Sequence, residues 1–231
     1  MSNTLINYLN KRFLEEKESI ARISQAPGPV ITISREVGCN GLKLAKLLAE
    51  RLNLEKPVTE WEVVSKEILV ASANELNMSI EDVRKTVKQS EKYTFSEILK
   101  AFNDKNFKSE QKISKTIIDT ILKFATDGHC IIVGRDGHMI AKDIVKSLHL
   151  RMVAPMEYRI KNIMQNNHLS RLKAIEFINR VEKERQAFRD SIRPKWMQEE
   201  LFDITINLEA FSDDEVLEMI RCAIDKKKLL K

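Results

Sequence analysis

The 231-residue chain is 32% charged and 43% apolar with a net charge of +5, which excludes a disordered or fibrous chain and indicates a soluble globular protein of one compact domain. No apolar run reaches the roughly 20 residues of a membrane span, and three widely spaced cysteines, Cys39, Cys130 and Cys222, make neither a disulfide framework nor a zinc site, so a reducing cytoplasm is the expected setting. The positive charge is local: residues 156–195 hold ten Lys or Arg against five Asp or Glu, a concentration that suits a polyanionic ligand.

In chain order, residues 1–28 place Leu5, Ile6, Leu9, Phe13, Ile20 and Ile23 at roughly helical spacing with charges between them. This predicts an N-terminal docking helix, not an export signal. The run "PGPVITIS" then predicts a short strand ending near Ser34, followed by a glycine loop from Gly38 to Gly41 and a helix over 42–52. From 60 to 128 the pattern is mostly helical, with Ser79 and Asp82 at capping-box spacing and an amphipathic stretch closed by Gly128. Strand signals return at "HCIIVG", "LHLRMVA" and "LFDITINL", and Ser212 with Glu215 marks a capping box on the last helix. Strands alternating with helices predict a parallel sheet covered on both faces, whose ligands bind at the carboxyl ends of the strands.

The stretch "GCNG" at 38–41 fits a phosphate loop and fits equally an ordinary strand-to-helix turn. A full phosphate loop reads G-x-x-x-x-G-K-[ST]; here Arg35 stands at the first glycine, Gly41 at the lysine and Leu42 at the hydroxyl. Lys43 is a poor replacement, because two helical residues rotate a side chain by about 200°. Arg35, with a planar fork suited to phosphate, is the better source of charge. Cys39 at a helix N-terminus raises the question of an activated thiol, against which stands the plainer role of a small residue in a tight loop.

A second buried strand ends at Gly134, followed by Arg135 and Asp136, which read as an anion clamp or as an Arg–Asp surface pair. His138 just beyond reads as a capping or exposed histidine. Over 168–195, Arg185, Arg189 and Arg193 recur every four residues, a self-repelling row suited to a lid that closes over polyphosphate, or else a solvated helix with Glu182, Glu184 and Asp190 as counter-charges. The row lacks the interleaved aromatics of a single-strand binding surface, so nucleic acid is not an expected partner.

These residues carry a resemblance. From about Val30 to Ile224 the chain resembles the cytidylate kinase-like family, whose S-R-x-x-G-S-G-G loop is similar to "SREVGCNG" at 34–41, arginine and absent lysine included. The family's strand-end G-R is matched by Gly134 and Arg135, its A-P-x-x-x-R helix by Ala154 to Arg159, its lid arginine by Arg185, and its Tyr-Asp before the last strand by Phe202 and Asp203. Cys39 and Asn40 replace the loop serine and middle glycine, with Asn40 expected to take the left-handed backbone that the glycine allows. Glu60 and Trp61 stand where the family has an aspartate and an arginine.

The resemblance implies a three-layer α/β fold of the P-loop NTPase type, with a central parallel sheet and a helical lid at 168–195. It implies transfer of the γ-phosphoryl group of ATP, with magnesium, to a nucleoside monophosphate, CMP or dCMP by likeness. Gly38, Cys39, Asn40, Gly41 and Leu42 would hold the donor phosphates; Glu60, Gly134, Arg135 and Asp136 would hold the acceptor; Arg35, Arg159, Arg185 and Arg189 would stabilise the transferring group. Magnesium ligands stay open among Ser34, Asp136 and water, and a monomer or a homodimer is expected. The alternative is a nucleotide or phosphometabolite sensor of the same fold that has lost turnover.

Overall fold

The computed structural model describes residues 28–65, 110–192 and 201–230. The predicted N-terminal helix over 1–28, the box at Ser79 and Asp82, and Arg193 lie outside them, apart from Gly28 itself. Among the described residues five strands form one sheet in which every pairing is parallel: β1 (Val30–Arg35), β2 (Glu62–Val64), β3 (Cys130–Val133), β4 (Ser147–Val153) and β5 (Ile204–Asn207), in the order β2-β3-β1-β4-β5. β1 is therefore central, with β3 and β4 on its flanks, and its carboxyl end faces both neighbours.

Six helices accompany the strands among the described residues: α1 (Gly41–Leu54), α2 (Glu110–Asp127), α3 (Gly137–Ile140), α4 (Met156–Asn167), α5 (Arg171–Ile192) and α6 (Asp213–Lys226). The period-2 alternation of a strand sends Ile31 and Ile33 of β1, Leu148, Leu150 and Met152 of β4 and Ile206 of β5 into one core. Leu44, Leu48 and Leu52 of α1 and Val216, Leu217, Ile220 and Ile224 of α6, at helical spacing, close over that face. Each such side chain removed from water contributes about 1.5–3 kcal/mol.

A second apolar cluster has a different purpose. Ile160 and Ile163 of α4 pack with Ala174, Ile178 and Val181 of α5, and Val37 of the loop after β1 inserts among them. The α4–α5 pair is thus bolted to the loop by burial of Val37, which is 3% exposed. No helix among the described residues is long and apolar enough to cross a membrane.

The edge strand β2 falls within the stretch that the sequence reads as mostly helical. Residues Thr59, Glu60 and Trp61 precede it, and its first residue, Glu62, pairs with Cys130 at the start of β3. They sit at the amino-terminal edge of the sheet. Trp61 is buried there, its backbone N–H and C=O both bonded by the Asn53 side chain and its ring edge-on to His129.

At the start of α6 the predicted capping box forms: Ser212 Oγ accepts from the Glu215 N–H while Glu215 accepts from the Ser212 N–H at 2.8 Å. Ser212→Ala should lower stability by about 1 kcal/mol, seen as a lower urea midpoint at unchanged slope. An unaltered midpoint would mean the box contributes nothing net.

Candidate active site

β1 delivers Arg35 to the carboxyl edge of the sheet. Its aliphatic stem lies across Gly41 at the start of α1, and its guanidinium reaches over to Gly134 at the end of β3. Gly134 has φ +77°, and a Cβ there would overlap the Arg35 guanidinium, so glycine is required both for the turn and for the approach. Arg135 and Asp136 follow with φ +56° and +50°. Two consecutive non-glycine residues in left-handed backbone cost roughly 1–3 kcal/mol each, a strain that surrounding structure must hold.

Helix α5, which covers most of the expected lid, supplies that hold. Glu182, Arg185 and Arg189 share one face of α5 at i, i+3 and i+7. Glu182 Oε1 accepts the Val37 N–H at 2.7 Å, Arg185 Nη1 donates to the Arg35 carbonyl at 2.9 Å, and Arg189 Nε donates to Asp136 Oδ1 at 3.1 Å. Glu182 offsets Arg185 of its own helix and also plugs into the loop, where it pairs with Arg159 at 3.2 Å. Asp190, another of the three expected counter-charges, accepts from Gln186.

A stripe on α4 grips the loop from the other side. Gly38 has φ +94° and presses on the Arg159 backbone, where a Cβ would come within 2.7 Å of Arg159 Cβ. Asn162 Nδ2 donates to the Gly38 carbonyl at 2.9 Å, and Asn166 Nδ2 to Asn40 Oδ1 at 3.1 Å. Glu36 accepts from the Ala154 N–H at 3.1 Å and lies 3.5 Å from Arg159. Asn40 adopts φ −74°, not the left-handed geometry expected of it, and makes no capping hydrogen bond to α1. The first turn of α1 also carries no acidic residue, so its N-terminal N–H groups face the loop without a carboxylate of their own helix.

The electrostatics follow from this crowding. Burial first, and then repulsion from Arg185 and Arg135, depresses the Arg35 pKa well below its ordinary value, with Asp136 and Glu182 opposing. Arg135 is pushed down to about 10 by burial and Arg185, and Arg185 is lowered by burial too. The site thus gathers guanidinium charge that its own carboxylates only partly offset.

Among the sequence-predicted site residues, Arg35, Gly38, Cys39, Asn40, Gly41, Gly134, Arg135, Asp136, Arg159, Arg185 and Arg189 come together at the carboxyl edge. Leu42 joins them by its backbone, its side chain packing on the main core. Glu60 does not: it is exposed at the amino-terminal edge, because β2 starts two residues after it. Lys43 points away as expected, paired with Asp213 at 2.6 Å. His138 is buried against Phe202 at 4.3 Å between ring centroids, not exposed. Asp203 binds the His149 N–H and Lys227, tying β4 to the C-terminal helix. Sequence reasoning missed Glu36, Asn162, Asn166 and the loop contact of Glu182; the i, i+3, i+7 spacing of Arg159, Asn162 and Asn166 was the available signal.

Magnesium accepts one or two carboxylates and takes its remaining ligands from phosphates and water. Asp136, at the end of β3 and facing the lid, suits that role, while no group of three or more His, Cys, Asp or Glu gathers among the described residues. Cys39 is buried and its thiol is pushed up to about 11, first by burial and then by Glu36, so it is a neutral packing group at physiological pH. Iodoacetamide at pH 8 should modify exposed Cys222 and spare Cys39 and Cys130 in folded protein, read by peptide mass spectrometry. Rapid native-state labelling of Cys39 would restore the activated-thiol reading.

The chain is similar to several known proteins. A crystal structure of an uncharacterized protein from Eubacterium ventriosum superposes with a TM-score of 0.60 at 21% identity, over 85% of this chain and 98% of that one, which supports the fold. Shikimate kinase from Bacteroides thetaiotaomicron aligns at a TM-score of 0.47 and 8% identity over 85% of this chain and 98% of its own. Uronate isomerase of Corynebacterium glutamicum is 22% identical over 117 residues, which is 50% of this chain, and the match spans only 22% of that protein. The cytidylate kinase-like family matches residues 30–210, from β1 to just beyond β5. With its strand order, its glycine loop after β1 and its arginine-lined strand ends in place, the chain belongs to the cytidylate kinase-like family.

Proposed function

We propose that this protein transfers the γ-phosphoryl group of ATP to a nucleoside monophosphate, CMP or dCMP being favoured by family likeness. The observation that carries the reading is the convergence of Arg35 and Arg135 with Arg185 of α5, a cluster whose charge Asp136 and Glu182 only partly offset. Such a cluster repels itself and is stabilised when a polyphosphate enters between its members.

In this reading the N–H groups at the start of α1 and the loop residues Gly38, Cys39, Asn40, Gly41 and Leu42 hold the donor phosphates. Arg35 supplies the positive charge that a lysine supplies in a standard loop. Arg135 and Asp136 hold the acceptor beside it. An acceptor phosphate oxygen attacks the γ-phosphorus as the bond to the β–γ bridging oxygen breaks, with ADP as leaving group, and no proton need be removed from an ionised phosphate. Arg159, Arg185 and Arg189 offset the charge spread over the equatorial oxygens, and α5 excludes water. Magnesium, held by Asp136 and the donor phosphates, would neutralise charge developing on the leaving group.

The second reading, a nucleotide-binding protein without turnover, draws on the missing lysine and on Glu182, which takes the Val37 N–H for itself. Phosphorus NMR of the protein with ATP, magnesium and each nucleoside monophosphate in turn separates the two. The kinase reading expects diphosphate signals with one acceptor above an enzyme-free control, lost or reduced at least about tenfold in Arg135→Ala. Lys228→Ala, on the exposed C-terminal end, should leave the rate unchanged. Tight ATP binding with no product from any acceptor would favour the second reading.

A further inference from the structure

The carboxyl edge of the sheet carries the arginine cluster, and the opposite edge carries an apolar surface. Among the described residues eight large apolar side chains are exposed, and five of them, Leu54, Val58, Val145, Leu201 and Leu230, lie at the amino-terminal edge. Leu54 ends α1, and Val58, Val145 and Leu201 stand shortly before β2, β4 and β5. Leu230 belongs with them because nearby Lys227 pairs with Asp203, the residue before β5, at 2.7 Å. Apolar side chains exposed singly need no explanation, but five gathered where the chain enters its strands mark a surface that another element covers.

The chain itself brings an element to that place. Residues 1–27 enter the fold at Gly28, just before β1, and β1 is the central strand, so they join at the middle of this edge. The junction is fixed by hydrogen bonds. The Gly28 N–H donates to the Thr126 carbonyl at 3.2 Å and the Val30 N–H to the Lys146 carbonyl at 2.9 Å, which sets the point of entry next to Val145.

Dimensions and charge limit the occupant. Strands about 4.8 Å apart make the edge from β2 to β5 about 19 Å wide, and the helix that the sequence predicts, taken over 5–23, is about 28 Å long. Residues 24–27 reach about 14 Å when extended, enough to fold that helix back over the edge. Leu5, Ile6, Leu9, Phe13, Ile20 and Ile23 supply its apolar stripe. Lys11, Arg12, Lys17 and Arg22 stand against Glu15, Glu16 and Glu18, a near balance that gives little attraction to an anionic membrane or to nucleic acid. A tether this short holds the two surfaces at an effective concentration on the order of millimolar, which favours docking within one chain over pairing between chains.

We propose that residues 5–23 dock in cis across the amino-terminal edge of the sheet, their apolar stripe covering Leu54, Val58 and Val145. The segment closes the edge opposite the arginine cluster and leaves the carboxyl edge open to ligands, whatever the chemistry carried out there.

Hydrogen exchange of the full chain, read by mass spectrometry, tests this in wild type, in the double variant Val58→Asp with Val145→Asp, in Phe13→Asp and in Phe211→Asp. Amides over 5–23 should exchange at least about tenfold more slowly in wild type than in an unfolded chain, and the double variant should speed them at least about fivefold. Phe13→Asp should in turn speed exchange over 143–146, an edge readout that does not depend on altering the edge itself. Phe211→Asp, exposed beyond the carboxyl end of β5, should leave both segments unchanged. Amides of β1 and β3 should stay protected throughout, which checks folding. Protection over 5–23 should also hold constant across about a hundredfold range of protein concentration. Unprotected amides over 5–23 in wild type, protection that survives the double variant, or no response over 143–146 to Phe13→Asp would overturn the docking. Protection that grows with concentration would overturn docking in cis and assign the edge to a second copy of the chain.

Discussion

Guanidinium groups brought out of water beside one another repel, and the placement of Arg35 and Arg135 at the ends of adjacent strands, with Arg185 of α5 bonded to the Arg35 carbonyl, makes that repulsion unavoidable. The rest of the upper layer can be understood as its containment. Asp136 is drawn to Arg189, Glu182 to Arg159 and Glu36 to Arg159, so the carboxylates are distributed around the arginines and not stacked within one helix. Removing one partner of such a half-buried pair leaves an uncompensated charge, which costs far more than the pair itself contributes.

Apolar packing decides where this charge network sits. Val37 is seated among α4 and α5, so the loop after β1 is also the segment that anchors α5. Its N–H bond to Glu182 and its side-chain burial act together. The left-handed backbone at Arg135 and Asp136 persists because Arg189 holds Asp136 from above and the Arg35 guanidinium occupies the space beside Gly134. Loop, strained turn and lid are thus one mechanical unit, held by three contacts from a single helix face.

Much of this was legible in the sequence because the signals were local. Continuous apolar runs marked β1, β3, β4 and β5, and Ser212 with Glu215 marked the last helix before any tertiary contact was considered. Arg35 and Arg135 stood out as charges placed directly after buried strands. Long-range facts were not legible. A three-residue edge strand has too little pattern to reveal where it starts, so Glu60 was assigned to the wrong end of the sheet. Glu182 was legible as a counter-charge to Arg185, but helical spacing says nothing of its second partner 145 residues away. Asn40 was credited with a left-handed backbone on its residue type, whereas it sits at φ −74° and ψ 51° in a tight turn closed by the Gly41 N–H donating to the Cys39 carbonyl.

The Glu182 contact has a kinetic consequence. The loop N–H of Val37 and the guanidinium of Arg159 are already loaded with a carboxylate, much as an ion-exchange resin is shipped with its counter-ion. On the kinase reading, an incoming anion does not fill an empty bed; it displaces a resident one, and displacement favours valence. A singly charged anion gains too little to dislodge a tethered carboxylate with a high local concentration, whereas a triphosphate trades several weak contacts for many strong ones. Selectivity for polyphosphate over the monovalent anions of the cell is then built into the protein by its own glutamate, before any base or sugar is read.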